Sequence, residues 1–247
     1  MSASIRRPGS RPSPRLAFPG VPRALLAVVV ALLTAVALSD LLGVFADARS
    51  YVLIEGDGGF AFAPEGDYAA ARLLADRAGL VHDMAFALCG LVFVLWFHRI
   101  RRRAGVLAPQ GFTAGPGWAI GSWFVPLVNL WRPYRIAVEM WVACVRPAPG
   151  PGKPVRTSLW PVNLWWGLFV LTGLSSAATQ RLRAGAGSLG ELRAVLVPLM
   201  LHGVLETLAA AAAIHFAVQL TRAVRGGPAG AQTGAPVRTS TTPVSSE

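Results

Sequence analysis

Charge is scarce in this chain, and the scarcity excludes most soluble folds. Only 14% of its 247 residues are Asp, Glu, Lys or Arg, whereas 53% are apolar; in soluble domains about a quarter of residues are charged. Lysine is nearly missing, since of 23 basic residues only Lys153 is not arginine. Acidic residues number 12, which leaves a formal net charge of +11. Such an excess marks a phosphate binder when Lys and Arg gather on one face. Here they stand in short groups beside apolar runs, the pattern that orients membrane proteins, so nucleic acid is not an expected partner. The two cysteines, Cys89 and Cys144, lie in apolar contexts and form neither a disulfide framework nor a metal-site spacing. They are expected to be reduced, buried thiols. Also missing are a G-x-S-x-G elbow, a phosphate-cradling Gly-Lys-Ser/Thr loop and an H-E-x-x-H pair. The expectation is a protein that is not an enzyme and uses no cofactor and no metal.

What the chain does have is length in its apolar runs. A hydrocarbon core takes about 20 apolar residues at helical rise, and the segments 22–45, 79–98, 160–179 and 195–220 meet that length. Backbone polar groups in lipid must be satisfied within the segment, so each is expected to be a helix. The fold class is therefore all-α, a polytopic membrane protein of four spans within a membrane domain 21–225. Five arginines, the apolar run and Ala46-Asp47-Ala48 imitate a signal peptide with an A-x-A site. The run continues through Leu41, Leu42, Val44 and Phe45, long enough to span, so an uncleaved first span is expected. Residues 1–20 and 226–247, rich in Pro, Gly, Ser and Thr, are expected to be disordered tails. The connection 47–78 holds six of the 12 acidic residues; its EGDGG breaks structure, and YAAARLLADRAGL from Tyr68 reads as helix running into the second span. Asp57-Gly58-Gly59 lacks the alternating oxygen ligands of a calcium loop.

One apolar stretch does not fit the pattern of spans. Gly117 to Trp141 reads GWAIGSWFVPLVNLWRPYRIAVEMW, broken at Pro126 and Pro133 and followed by Arg132, Arg135 and Glu139. If 117–145 enters and leaves on one side, that side collects 17 basic residues against 6. If it crosses, the split is 12 against 11. Short basic loops favour the cytoplasm, so the segment is expected to be re-entrant or interfacial, with both termini cytoplasmic in a bacterial plasma membrane. A helix begun at Trp118 should end or kink at Pro126. Arg132, Arg135, Glu139 and Arg146 fall near one helical face, with Ile136, Ala137, Met140, Trp141 and Cys144 elsewhere. That pattern reads as a helix in the interface with its apolar face in lipid, and Arg135 and Glu139, four apart, are expected to pair. Residues 126–131 and 161–165 share VNLW. Trp96, Trp118, Trp123, Trp131, Trp141, Trp160, Trp165 and Trp166 all fall on the cytoplasmic side, an expected one-sided girdle at the headgroups. Within it, Trp118, Trp123, Trp131, Arg135, Trp141 and Trp165 are the expected lipid-contacting residues.

Ionisable residues inside spans are costly and are functional candidates. Asp40 lies late in the first span; His82 and Asp83 lie early in the second, which runs the other way. The three should share a depth near the outer face, as polar glue or as a proton or cation site. His202 and Glu206, four apart, share a face of the last span. Glu206 is expected to pair with Arg132, or to accept from Asn129 and Trp131, where the broken segment meets that span. His215 lies on the opposite face, and His98 snorkels beside Arg99.

The segment GPGWAIGSWFVPLVNLWRPYRIAVEMW, preceded by LVFVLWFHRIRRRA, resembles the actinobacterial membrane proteins grouped as the domain of unknown function 4328 family. The resemblance is strongest over residues 81–141. It implies an integral membrane protein and brings no catalytic residue with it. Three functions follow as expectations. The first is a scaffold or regulator whose basic, tryptophan-rich cytoplasmic face meets anionic lipid headgroups or another membrane protein. The second is a small transporter or channel subunit that uses the broken segment and the intramembrane His and Glu. The third is a membrane enzyme acting on lipid.

Overall fold

The computed structural model describes residues 23–55, 65–145 and 157–226; both expected tails, apart from Gly226, and residues 56–59 of EGDGG lie outside them. Among the described residues all regular structure is helical: α1 (Arg23–Glu55), α2 (Glu65–Leu107), α3 (Trp118–Gly121), α4 (Arg132–Val145), α5 (Trp160–Gly185) and α6 (Leu189–Arg225), with a 3-10 turn at Val128–Leu130. Each expected span is a helix, and each is longer than its apolar run. At about 1.5 Å per residue, α2 is roughly 65 Å long and α6 roughly 55 Å, well beyond a core of about 30 Å. The acidic connection is thus largely helical, because α1 continues to Glu55 and α2 already begins at Glu65.

Local signals explain the ends. Ser188 and Glu191 form a capping box: Ser188 accepts from the Glu191 backbone N–H, and Glu191 Oε2 accepts from the N–H groups of Ser188 and Gly187 at 3.0 and 2.8 Å. That S-x-x-E spacing satisfies donors that a helix start otherwise orphans. α5 carries Pro161 as its second residue, within the first turn, where the missing N–H costs nothing. Pro198 sits inside α6 without ending it.

α1 packs mainly on α2 and α6, and α6 also on α5. Outside, the surface is apolar: Leu80, Met84, Leu88, Leu91 and Leu95 form an exposed row along α2, and Val197, Leu201, Val204 and Leu208 another along α6. A helix apolar on its outer face as well as its inner one belongs in lipid. The helices containing Arg23–Leu53, Leu73–Leu107 and Gly190–Arg225 are long and apolar enough to cross a membrane. α5 is long enough but less apolar, since Trp160, Asn163, Trp165 and Trp166 dilute its first turns.

The start of α1, the end of α2, α4, the start of α5 and the end of α6 meet at one end of the bundle around a single aromatic core. Trp165 and Phe216 stack with centroids 4.4 Å apart and planes 3° apart. Trp96 Nε1 donates to Thr221 Oγ1 at 3.2 Å, and Trp141 Nε1 donates to the Ser158 carbonyl at 3.0 Å. This corrects the expected girdle. Trp96, Trp141, Trp165 and Trp166 are buried, while Trp118, Trp131 and Trp160 are exposed. The apolar face of α4 is corrected likewise: Ile136, Ala137, Met140 and Trp141 pack against protein and not lipid. An apolar helical face shows that it will be buried, without saying by what.

The segment ahead of α4 also differs from expectation. α3 stops at Gly121, five residues before Pro126, and single turns follow. Trp123 and Phe124 donate to carbonyls three residues back, and Pro126 has no N–H to give the Ser122 carbonyl, so the α-helical pattern is not resumed before the proline. Pro126-Leu127-Val128 is a γ-turn: Val128 N–H donates to the Pro126 carbonyl at 2.8 Å, and Leu127 has φ 64° and ψ −49°. A leucine there is strained. The two VNLW copies therefore differ, since the second follows Pro161 directly and forms the first turn of α5.

Candidate functional site

The polar groups of the long helices converge midway along the bundle. Nδ1 of His82, on α2, stands 2.6 Å from Oδ1 of Asp40, on α1, off the axis of an ordinary hydrogen bond. Its Nε2 lies 4.0 Å from Glu206 Oε2, on α6. Glu206 Oε1 is 3.5 Å from His202 Nε2 on the same helix. His202 Nδ1 is in turn 2.8 Å from Ser175 Oγ, on α5. One polar chain, Asp40–His82–Glu206–His202–Ser175, thus joins all four long helices.

The Ser175 hydroxyl donates to the Thr172 carbonyl at 2.9 Å. The same oxygen is 2.8 Å from His202 Nδ1; when the hydroxyl proton is directed at the Thr172 carbonyl, Nδ1 is the donor toward Ser175. In that tautomer a neutral His202 turns the Nε2 lone pair toward Glu206 Oε1, 3.5 Å away, an arrangement that calls for a cation or proton between them. Asp40 is the most enclosed member, with a side chain 4% exposed and an Oδ2 that has no hydrogen-bond partner. Phe86, one turn along α2, stacks on the His82 ring at 5.8 Å.

Two features position the cluster. At Gly203 a Cβ would lie 2.7 Å from Val44 Cγ2 and 3.5 Å from the Asp40 carbonyl, so α1 and α6 approach closely beside the site. Glu206 also lines a cavity of about 360 Å³ whose remaining wall is mostly apolar, including Val36, Phe86, Phe93, Trp123 and Phe169.

A family model described as Domain of unknown function (DUF4328) matches residues 63–224. The chain belongs to that family. The DUF4328 match runs from just before α2 to the last turn of α6 and contains His82, His202 and Glu206; Asp40, on α1, lies outside it. No curated protein and no solved structure matches the chain.

The structure redistributes the expected site residues of this DUF4328 protein. Asp40 and His82 share a depth and touch, while Asp83, next in the chain, is exposed. His202 and Glu206 do share a face, but they join Asp40 and His82 instead of Arg132 and Asn129. The Arg132 guanidinium lies 4.3 Å over the Trp118 ring, and Asn129 Oδ1 is buried without a partner in the turn before α4. Arg135 is exposed; Glu139 takes the Thr113 hydroxyl at 2.6 Å in place of an Arg135 pairing. Trp123 is half-buried in the aromatic core, and Trp118 and Trp131 remain exposed beside Phe124 and Leu127.

Sequence reasoning missed Ser175 as a partner of His202; its signal was a serine within an apolar helix. It also missed Arg101, buried at the end of α2, which stacks 3.5 Å over Phe112 and donates to the Ala114 carbonyl at 2.6 Å. With His98, whose Nδ1 lies 3.1 Å from the Pro116 carbonyl, Arg101 pins the connection between α2 and α3. The Cys144 thiol is pushed up to about 11 by burial, which keeps it protonated and unreactive near neutral pH.

Proposed function

We propose that this protein is a four-span plasma-membrane protein, both termini cytoplasmic, that handles a cation or proton within its bundle as a small transporter or channel subunit. The observation that carries the reading is the polar chain from Asp40 to Ser175, contributed by all four long helices. Polar side chains at membrane depth are costly and mark ion or proton routes. The adjoining cavity, which Glu206 lines, gives the chain an approach from within the bundle. The fourth span is α5, and the same-side topology is supported by the charge split it gives, 17 basic residues against 6, where a crossing segment would give 12 against 11. A topology reporter after residue 152 should read as cytoplasmic. The functional test is ion flux into proteoliposomes: Glu206→Gln is expected to abolish it, and unchanged flux would remove the reading.

A second reading rests on a different observation. Trp118, Phe124, Leu127, Leu130 and Trp131 are exposed together, with Arg135 close in sequence. This supports a re-entrant or interfacial segment in contact with the anionic leaflet, and hence a scaffold or regulator that meets lipid or a second membrane protein. Vesicle flotation of the whole protein's 117–131 variants, with Trp118 and Trp131 changed to Ala, distinguishes the two. The scaffold reading requires loss of anionic-lipid preference while flux is untouched.

A further inference from the structure

We infer that Asp40, His82 and Glu206 bind one divalent first-row transition-metal ion, with His202 as an additional nitrogen ligand. The inference rests on the ion-handling reading and names its ion. Ligand atoms of Asp40, His82 and Glu206 all lie within 4.8 Å of one another. Bonds of about 2.0–2.2 Å place the ligands of one metal roughly 3–3.5 Å apart, a difference that side-chain rotation covers.

Four features point to a metal over other occupants. Asp40 is almost wholly enclosed, yet its Oδ2 has no partner, and a buried carboxylate oxygen left bare is expensive. His202 Nδ1 is anchored 2.8 Å from Ser175 Oγ, and Nε2 faces the cluster 3.5 Å from Glu206 Oε1; metal-ligating histidines are oriented in this way by the hydrogen bond of the other nitrogen. Charge selects the valence, because two carboxylates and two neutral imidazoles become neutral with one divalent cation, the state an apolar bundle favours. Ligand type selects the element. Calcium and magnesium take oxygen ligands, whereas mixed imidazole and carboxylate suits zinc, manganese, iron or cobalt. Asp83, exposed next to His82, places a further negative charge near the cluster.

The test uses the full chain in nanodiscs, stripped with chelator and titrated with Co²⁺ and then Zn²⁺. One equivalent of Co²⁺ per chain is expected, with visible absorption bands of a nitrogen- and oxygen-ligated ion that Zn²⁺ removes. Asp40→Asn, His82→Gln and Glu206→Gln should each weaken binding by about 100-fold or more, and His202→Gln by roughly 10- to 100-fold. His215→Gln, which stacks on Trp160 away from the cluster, should bind as the parent does. Zn²⁺ should also raise the thermal midpoint of the parent and of His215→Gln, and at the same Zn²⁺ concentration raise it less in each cluster variant that keeps its helical circular dichroism. Absence of Co²⁺ binding by the parent, or binding that survives Glu206→Gln combined with Asp40→Asn, overturns the inference. If Co²⁺ does not bind while Glu206→Gln still abolishes flux, the metal falls and the ion-handling reading stands. If Co²⁺ binds and no flux of any ion is found, the site is a static metal centre and the transport reading falls.

Discussion

At the α4 end of the bundle Trp165 and Phe216 lie face to face, whereas ten residues back along α6, about 15 Å away, Glu206 faces two imidazoles. The first region is dense and aromatic; the indole N–H groups of Trp96 and Trp141 have acceptors, and that of Trp123 has none. The second keeps a bare carboxylate oxygen and a cavity. Between helices in lipid the hydrophobic effect supplies little drive, because the tails are as apolar as leucine; packing and hydrogen bonds have to hold the bundle. The aromatic end does that holding. It lets the middle keep polar groups that are short of partners.

The comparison breaks most clearly by substitution. Trp165→Ala should destabilise the protein by about 3–5 kcal/mol, measured as thermal unfolding in detergent, while Glu206→Gln should leave the midpoint nearly unchanged without metal. Equal losses would mean that the polar chain is structural glue. Gly203→Val comes next: its side chain would meet Val44 and cost about 1–3 kcal/mol by overpacking, with a loss of Co²⁺ affinity that Trp165→Ala does not share. Leu127→Gly should stabilise by about 1 kcal/mol, because glycine reaches positive φ without strain; an unchanged midpoint would indicate that the γ-turn is not kept in solution. Thr113→Val removes the hydroxyl that Glu139 accepts and should cost about 1 kcal/mol. The smallest effect is chemical. Cys144 should react slowly with maleimide at pH 7 and faster as pH rises toward its thiol value of about 11, whereas denatured protein should react at once.

The long helices were legible because apolar length and the membrane's thickness decide them together. Half of the site was legible for a similar reason. A spacing of four puts His202 and Glu206 on one face, and opposite chain directions give Asp40 and His82 one depth. That the two pairs meet was not legible, because it depends on the rotation of α1, α2 and α6 about their own axes. Depth is written along a helix, but azimuth comes from packing at positions such as Gly203. The same limit explains the tryptophans: Trp96, Trp141 and Trp165 were assigned to the right end of the bundle and the wrong environment. Arg132 was misplaced because its partner, the Trp118 face, is apolar, and charge matching does not find such partners.

Gly203 acquires a further meaning from its neighbours. It touches Val44, one turn beyond Asp40, and it follows His202 and precedes Glu206 by less than a turn. Sliding or splaying of α1 against α6 at this contact changes the gap between Asp40 and Glu206 by a comparable amount. The close approach is therefore a gauge: how tightly the two helices press together sets how tightly an ion can be gripped, so any partner or lipid that loosens that seam also loosens the grip.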